Sequence, residues 1–428
     1  MGHSGDNPTA TAERFSPPPT NSSGKRQQQH HRQRRRKKQK VIFTDTETRI
    51  RVQTLKPELT HTFSSYTRTH TSSYVRSQDR SRKKSRSGRS HSQRKWTYSA
   101  RDVSNYNDRV VIVSYNILGD ENATKHPELY RGVSPKYLDW EYRKKLLCEE
   151  EVDHFDDLNE ILGRDGFRGL YKARAGETRD GCAIFWRAEL FTLLHEENIE
   201  FQRFGLRNNI AQFCVLKMNQ DLADDDATAR SPCATTGRSL IVGNIHVLYN
   251  PKRGDIKLGQ MRIFLEKAYE LSQEWGGIPV VITGDLNSLP QSAMYQFLAS
   301  SKVMHPFAAL MLTLKPSLNR WTDEEIMLAT GSRLSSLRHH LKLCSAYAEV
   351  PGSSKVRDKI GEPLATSYHS LFTGTVDYIW HSLDLVPVKV LETLSMDSLK
   401  RTGGLPSKKW GSDHLAVVCE LAFADEGD

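Results

Sequence analysis

Asp285 and Asn287 close the stretch Pro279-Val-Val-Ile-Thr-Gly-Asp-Leu-Asn-Ser288 two positions apart, so on an extended backbone their side chains share one side. A carboxylate and a carboxamide placed this way can hold an attacking water or a hard cation. An Asx turn that merely satisfies local amides would use the same two residues. More polar residues stand at the edges of apolar runs: Asn116 after Val110–Tyr115, His246 after Leu240–Ile245, Asp377 within Gly374–Trp380, and Asp413-His414 ahead of Leu415–Leu421. One such residue is usually a satisfied loop group. Several separate elements presenting amide, carboxylate or imidazole at one edge are harder to explain that way. The set does not have the fixed Cys and His spacing of a zinc site. Its oxygen-rich character suits magnesium. A water activated by carboxylate and metal, with imidazoles near a phosphoryl oxygen, is equipment for phosphodiester hydrolysis.

These residues need strands to carry them. Val280–Thr283 reads as a strand buried on both faces, and Gly284 turns the backbone and leaves room for a close approach. Val110–Asn116, Cys182–Trp186, Ala211–Met218, Leu240–His246, Gly374–Trp380, Val386–Val390 and Leu415–Leu421 are further strands. Helices are expected over Tyr137–Glu151, Asp153–Leu162 and Lys257–Trp275, with residues 300–365 mixed and mostly helical. In an open α/β sheet ligands bind at the strands' carboxyl ends, where most of the polar residues lie.

The net charge of +10 is unevenly distributed. Residues 1–109 carry 25 Lys and Arg against 8 Asp and Glu, whereas the remainder carries 36 against 43. The basic part contains Arg32-Gln-Arg-Arg-Arg-Lys-Lys-Gln-Lys40 and Arg80-Ser-Arg-Lys-Lys-Ser-Arg-Ser-Gly-Arg89 with few apolar residues. Such a composition does not offset its ordering entropy, so residues 1–107 are expected to be a disordered basic tail. It would serve as a nuclear-import signal, an RNA-binding arm or a solvated linker. The six cysteines are scattered without a Cys-x-x-Cys pair, as in a reducing, intracellular setting. No apolar run approaches a membrane span, and the N-terminus has no secretory apolar core.

Ser114-Tyr-Asn116, Gly243-Asn-Ile-His246, Gly284-Asp-Leu-Asn287, Thr375-Val-Asp-Tyr378 and Ser412-Asp-His414 resemble, in order, the endonuclease/exonuclease/phosphatase superfamily. Asp139-Trp-Glu-Tyr-Arg-Lys-Lys145, Asp180-Gly-Cys-Ala-Ile-Phe185 and Leu405-Pro-Ser-Lys-Lys-Trp-Gly-Ser-Asp-His414 look like the plant carbon catabolite repressor protein 4 homologues within it. The resemblance implies a four-layer α/β/β/α sandwich over residues 108–424. It also implies a magnesium-dependent 3′→5′ exoribonuclease that shortens poly(A) tails and releases 5′-AMP, in nucleus and cytoplasm and within a multi-subunit deadenylase complex. Asp285 would deprotonate water, with Asn287 beside it on the scissile phosphate. Asn116, Glu151 and Asp413 would bind magnesium, as a pair of ions. His414 would donate to a phosphate oxygen with Asp377 fixing its tautomer, and His246 would make a second phosphate contact. Pro251 and Phe372 match adenine-packing positions.

Two departures from the family pattern stand out. Ser367 occupies a position where such deadenylases often carry Asn. The family also places an apolar strand directly before its metal-binding Glu, whereas here Cys148-Glu-Glu-Glu-Val-Asp153 follows straight on from a helix. No run between Tyr115 and Cys182 can replace that strand. Its loss would strip apolar side chains from the core at roughly 1.5–3 kcal/mol each and unseat Glu151. The alternative function is therefore a catalytically impaired RNA-binding variant of the same family. An inositol polyphosphate phosphatase or abasic-site endonuclease would need a basic cradle or DNA-wedging loops that the sequence does not display.

Overall fold

The computed structural model describes residues 47–53, 94–148, 154–176, 180–219, 238–300, 302–304, 323–330 and 336–424. In chain order the strands are β1 (Glu47–Gln53), β2 (Trp96–Tyr98), β3 (Arg109–Asn116), β4 (Phe167–Ala173), β5 (Gly181–Arg187) and β6 (Phe191–Glu200). They continue with β7 (Ile210–Met218), β8 (Ser239–His246), β9 (Val280–Asp285), β10 (Lys302–Met304), β11 (Ser336–Arg338) and β12 (Leu343–Ser345). The last are β13 (Ser367–His369), β14 (Phe372–Gly374), β15 (Asp377–Ser382), β16 (Leu385–Leu391) and β17 (Val417–Phe423). The principal helices are α1 (Asp120–Lys125), α2 (Trp140–Cys148), α3 (His154–Arg164), α4 (Gly254–Glu274) and α5 (Ala293–Ser300).

One sheet runs β2-β16-β17-β3-β1-β5-β4 and the other β12-β15-β9-β8-β7-β6. Their inner faces meet in an apolar core that includes Ile112, Ile184 and Val417 from the first and Cys214, Val242, Val281 and Ile379 from the second. Outside the second sheet, Phe264 and Leu265 of α4 and Phe297 of α5 cover Phe213, Ile282 and Trp380. Outside the first, Trp140 of α2 and Leu158 and Leu162 of α3 cover Ala183 and Phe185. The layering is the expected α/β/β/α. Being covered on both sides is why β5 and β9 read as unbroken apolar runs. Among the described residues no helix is long and apolar enough to cross a membrane.

The structure departs from the sequence reading near the N-terminus. Ordered structure starts before residue 108: β2 pairs with β16, and the Arg94 guanidinium donates to the carbonyls of Glu392 (2.7 Å), Leu391 (3.1 Å) and Ala416 (2.6 Å). Those carbonyls lie at the end of β16 and just ahead of β17, and a side chain with several donors satisfies them together. β1 also comes from the stretch expected to be disordered, and it lies between β3 and β5. The helix expected to run to Glu151 is described as far as Cys148. Glu151 and both basic clusters lie outside the described residues.

Candidate active site

Strand register assembles the first part of the site. β8 and β9 are parallel with His246 opposite Asp285, and β15 is antiparallel to β9 with Asp377 opposite Asp285. His246, Asp285 and Asp377 therefore lie abreast on three neighbouring strands. Gly284 makes this approach possible: with φ 133°, a Cβ there would sit 1.9 Å from the Ile245 carbonyl oxygen. Asp377 opens its strand rather than closing it, and it reaches the same rim because its strand runs the other way.

The first sheet supplies the rest. Asn116 at the end of β3 donates from Nδ2 to Asp285 Oδ2 at 3.1 Å, while its Oδ1 accepts from the Leu118 amide at 3.1 Å. The Asn287 amide donates to Asp285 Oδ1 at 2.8 Å. Buried Arg143, inside the Asp139–Lys145 motif, donates to the carbonyls of Ile117 (2.9 Å), Leu118 (2.8 Å) and Gly411 (3.2 Å) and pairs with the Asp120 carboxylate. It thus ties the end of β3 to the loop carrying Asp413 and His414. Ser412 Oγ strengthens that tie, donating to the Asn116 carbonyl at 2.7 Å and accepting from the His414 amide at 3.1 Å.

Asp285 is 2 % exposed, and its Oδ2 faces two imidazoles: His246 Nε2 at 3.5 Å and His414 Nε2 at 3.9 Å. His414 Nδ1 donates to Asp377 Oδ2 at 2.8 Å, an assignment made because the partner is a carboxylate. The same oxygen accepts from Thr366 Oγ1 at 2.6 Å, and Thr366 Oγ1 in turn accepts from the amides of Val376 (3.0 Å) and Asp377 (3.1 Å). Burial opposes charge on His414, but Asp377, Asp413 and Asp285 together outweigh it and push its pKa up to about 10. Burial also pushes Asp377 upward, assisted by Asp285 and opposed by His414. Both shifts favour one proton held between the pair. Burial holds His246 below its ordinary value although Asp285 pulls the other way.

Asp413 Oδ2 accepts from the buried Tyr130 hydroxyl at 3.0 Å. Burial, with Asp413 adding to it, raises the Tyr130 pKa, so the phenol stays a donor. Asn287 takes a left-handed φ of 46°. Its Nδ2 donates to the Val247 carbonyl at 2.9 Å, and its own carbonyl accepts from Lys257 Nζ at 2.6 Å. Burial pushes Lys257 down to about 8. Asn287 therefore shapes the loop under Asp285 through its backbone. Pro251 is exposed just ahead of α4, and half-buried Phe372 opens β14 with its ring 5.9 Å from that of His369. Ser367 is buried in β13 and bridges to His414, so it faces packing rather than solvent.

Asn116, His246, Asp285, Asp377 and His414 thus form one connected cluster. Thr366, Tyr130 and Arg143 complete it as orienting groups, and none carries a sequence signal of that role except Arg143, through its motif. Ligand atoms of Asp285, Asp377 and His414 lie within 4.8 Å of one another, and Asp377 Oδ1 is buried without a hydrogen-bond partner among the described residues. An orphaned oxygen beside further carboxylates fits a hard divalent cation.

The endonuclease/exonuclease/phosphatase family model matches residues 113–414. Carbon catabolite repressor protein 4 homolog 5 of Arabidopsis thaliana is 51 % identical over 372 residues, covering 78 % of this chain and 82 % of that protein. Homolog 3 from the same plant is 46 % identical over 360 residues, covering 76 % and 78 %. Because the 372 aligned positions exceed 78 % of this chain's 428 residues, homolog 5 carries residues within the matched span that this chain lacks. A crystal structure of ANGEL2, described as a 2′,3′-cyclic phosphatase in complex with adenosine-2′,3′-vanadate, is 27 % identical with a TM-score of 0.59. It covers 77 % of this chain and 99 % of that one. The chain belongs to the endonuclease/exonuclease/phosphatase family of hydrolases, and within it to the carbon catabolite repressor protein 4 homologues.

Proposed function

We propose that this chain is a magnesium-dependent 3′→5′ exoribonuclease that shortens poly(A) and releases 5′-AMP. The observation that carries the reading is the buried Asp285 carboxylate, held by Asn116 and faced by two imidazoles at 3.5 and 3.9 Å. Asp285 accepts the proton of a water whose oxygen attacks the last internucleotide phosphate; the P–O3′ bond breaks, and the departing 3′-oxygen takes a proton from solvent water. His414, oriented by Asp377 and Thr366, presents Nε2–H to a phosphoryl oxygen, and His246 contacts another. Asn116, Asp413 and Glu151 would hold the magnesium, probed as one or two ions; the metal supplies charge for the phosphoryl oxygens. Pro251 and Phe372 would pack the terminal adenine. Poly(A) RNA as partner, membership of a larger deadenylase complex, and residence in nucleus and cytoplasm belong to the same proposal, supported by the relatives' name and the basic N-terminal clusters.

The ANGEL2 likeness favours a second reading, opening of a 2′,3′-cyclic phosphodiester by the same groups. The full chain offered 5′-labelled oligo(A) with either a free 3′-hydroxyl or a 2′,3′-cyclic phosphate separates the two. A magnesium-dependent ladder with 5′-AMP from the first substrate is the expected result. Turnover confined to the cyclic end would replace the deadenylase reading with the phosphatase one. RNA retention without turnover of either would make the chain a binding protein.

A further inference from the structure

β3 and β5 are central, buried strands: Val110, Ile112, Ala183 and Ile184 are each 0 % exposed. Among the described residues, the chain between them supplies three helices, two short 3-10 turns and β4, which pairs with the far side of β5. Without another strand the facing edges of β3 and β5 would leave a row of backbone donors and acceptors unpaired inside the protein, at about 1–3 kcal/mol each. β1 fills this slot, antiparallel to β3 (Thr48 opposite Asn116 through Gln53 opposite Val111) and parallel to β5 (Glu47 opposite Gly181 through Val52 opposite Trp186). It lies outside residues 113–414, the span that matches the family.

On the inter-sheet side the sequence of the segment fits the slot, while Arg49 and Arg51 stand at the register positions of Ala183 and Phe185 on the helix-covered side. Thr48, Ile50 and Val52 hold the register positions of Asn116 and Cys182, Ser114 and Ile184, and Ile112 and Trp186. Of those partners, Ile112, Ile184 and Trp186 belong to the inter-sheet core. Glu47, Arg49, Arg51 and Gln53 take the alternate positions, giving the period-two pattern of a strand with one apolar face. Its rim end pairs with Asn116, the residue that holds Asp285. A span of ~130 Å for the 40 residues between Gln53 and Arg94 easily crosses the few strands separating β1 from β2.

We propose that residues 47–53 are a donor strand: an N-terminal segment that completes the central sheet and on whose seating the Asn116–Asp285 rim depends, making the basic N-terminal region a control element of the hydrolytic site. The proposal stands whatever phosphodiester the site takes. Hydrogen–deuterium exchange on the full chain tests seating directly. Amides of 47–53 should be as protected as those of β3 and β5, and exchange at unprotected rates overturns the proposal. A full chain carrying Arg51→Cys and Val113→Cys, paired positions, should form a disulfide mapped by mass spectrometry, whereas Arg51→Cys with Tyr98→Cys should not; equal yields overturn the pairing. Ile50→Asp, which sets a charge at the register position of Ser114 and Ile184, should cut turnover at least about tenfold. A synthetic peptide of residues 44–56 should restore turnover to that variant. Unchanged turnover in Ile50→Asp, or no rescue by the peptide, defeats the claim of control even where exchange shows protection.

Discussion

Thr366→Val tests the orienting chain behind His414. The hydroxyl donates to Asp377 Oδ2 at 2.6 Å and accepts two amides at 3.0 and 3.1 Å, so a near-isosteric methyl removes three hydrogen bonds without opening a cavity. A hydrogen bond to a charged group is worth about 1.5–3 kcal/mol, and an amide left without an acceptor costs about 1–3 kcal/mol. Stability should therefore fall by about 2–4 kcal/mol after partial relaxation. Asp377 would keep His414 as its ion partner but lose the bond that fixes its carboxylate plane. If about 1.4–3 kcal/mol of that constraint is expressed in the transition state, kcat falls roughly 10–100-fold with KM little changed. The assay is steady-state nucleotide release from oligo(A), run beside thermal unfolding. Thr366→Ser keeps the hydroxyl and should restore kcat. A Val variant with native kcat, or a Ser variant as impaired as Val, would refute the orienting role.

Other expectations rest on different features. Glu362 is buried and accepts from the Tyr295 hydroxyl at 2.8 Å, and burial pushes its pKa from 4.5 to about 7. The fold therefore binds this proton more tightly than the unfolded chain does. The stability it contributes is complete below about pH 4.5 and lost as pH rises through 7, by roughly 3 kcal/mol. Denaturant titrations from pH 5 to 8 should show the decline, and Glu362→Gln should flatten it; a parallel slope in the variant would count against the assignment. Gly284→Ala must place a Cβ 1.9 Å from a backbone carbonyl at φ 133°, so it should lower stability by more than about 3 kcal/mol and yield little soluble protein. Lys257→Met keeps the stem of the side chain but frees the Asn287 carbonyl. It should reduce kcat about tenfold while melting within a few degrees of the native chain, and native kcat would show that the loop holds itself.

The parts of the site carried by doubly buried strands were legible in the sequence. β3, β8 and β9 are largely apolar runs that stop at a polar residue, and that residue proves to be Asn116, His246 or Asp285. β6 was not legible. It is an edge strand whose Phe-Thr-Leu-Leu-His-Glu-Glu-Asn-Ile-Glu exposes about every second residue and has a register shift between Leu193 and His195. β1 escaped for another reason. Its alternation is three apolar or Thr positions long and lies amid a basic, polar stretch, and the pairing partners that stabilise it are more than 50 residues away. Thr366 and Tyr130 were invisible because a hydroxyl that orients a carboxylate looks like any other until the fold brings Asp377 and Asp413 to it. Pro251 and Phe372 were named through resemblance alone, and the structure leaves one exposed and the other half-buried near the rim.

Asp285→Asn tests the account most directly, because every other group in the cluster is arranged around that carboxylate. The substitution keeps size and burial but removes the proton acceptor. With magnesium and oligo(A), nucleotide release by the full chain should fall about 10²–10⁴-fold while RNA binding and melting temperature stay close to native. Turnover within tenfold of the native chain would mean that Asp285 does not activate the attacking water, and the hydrolytic reading of this rim would have to be abandoned.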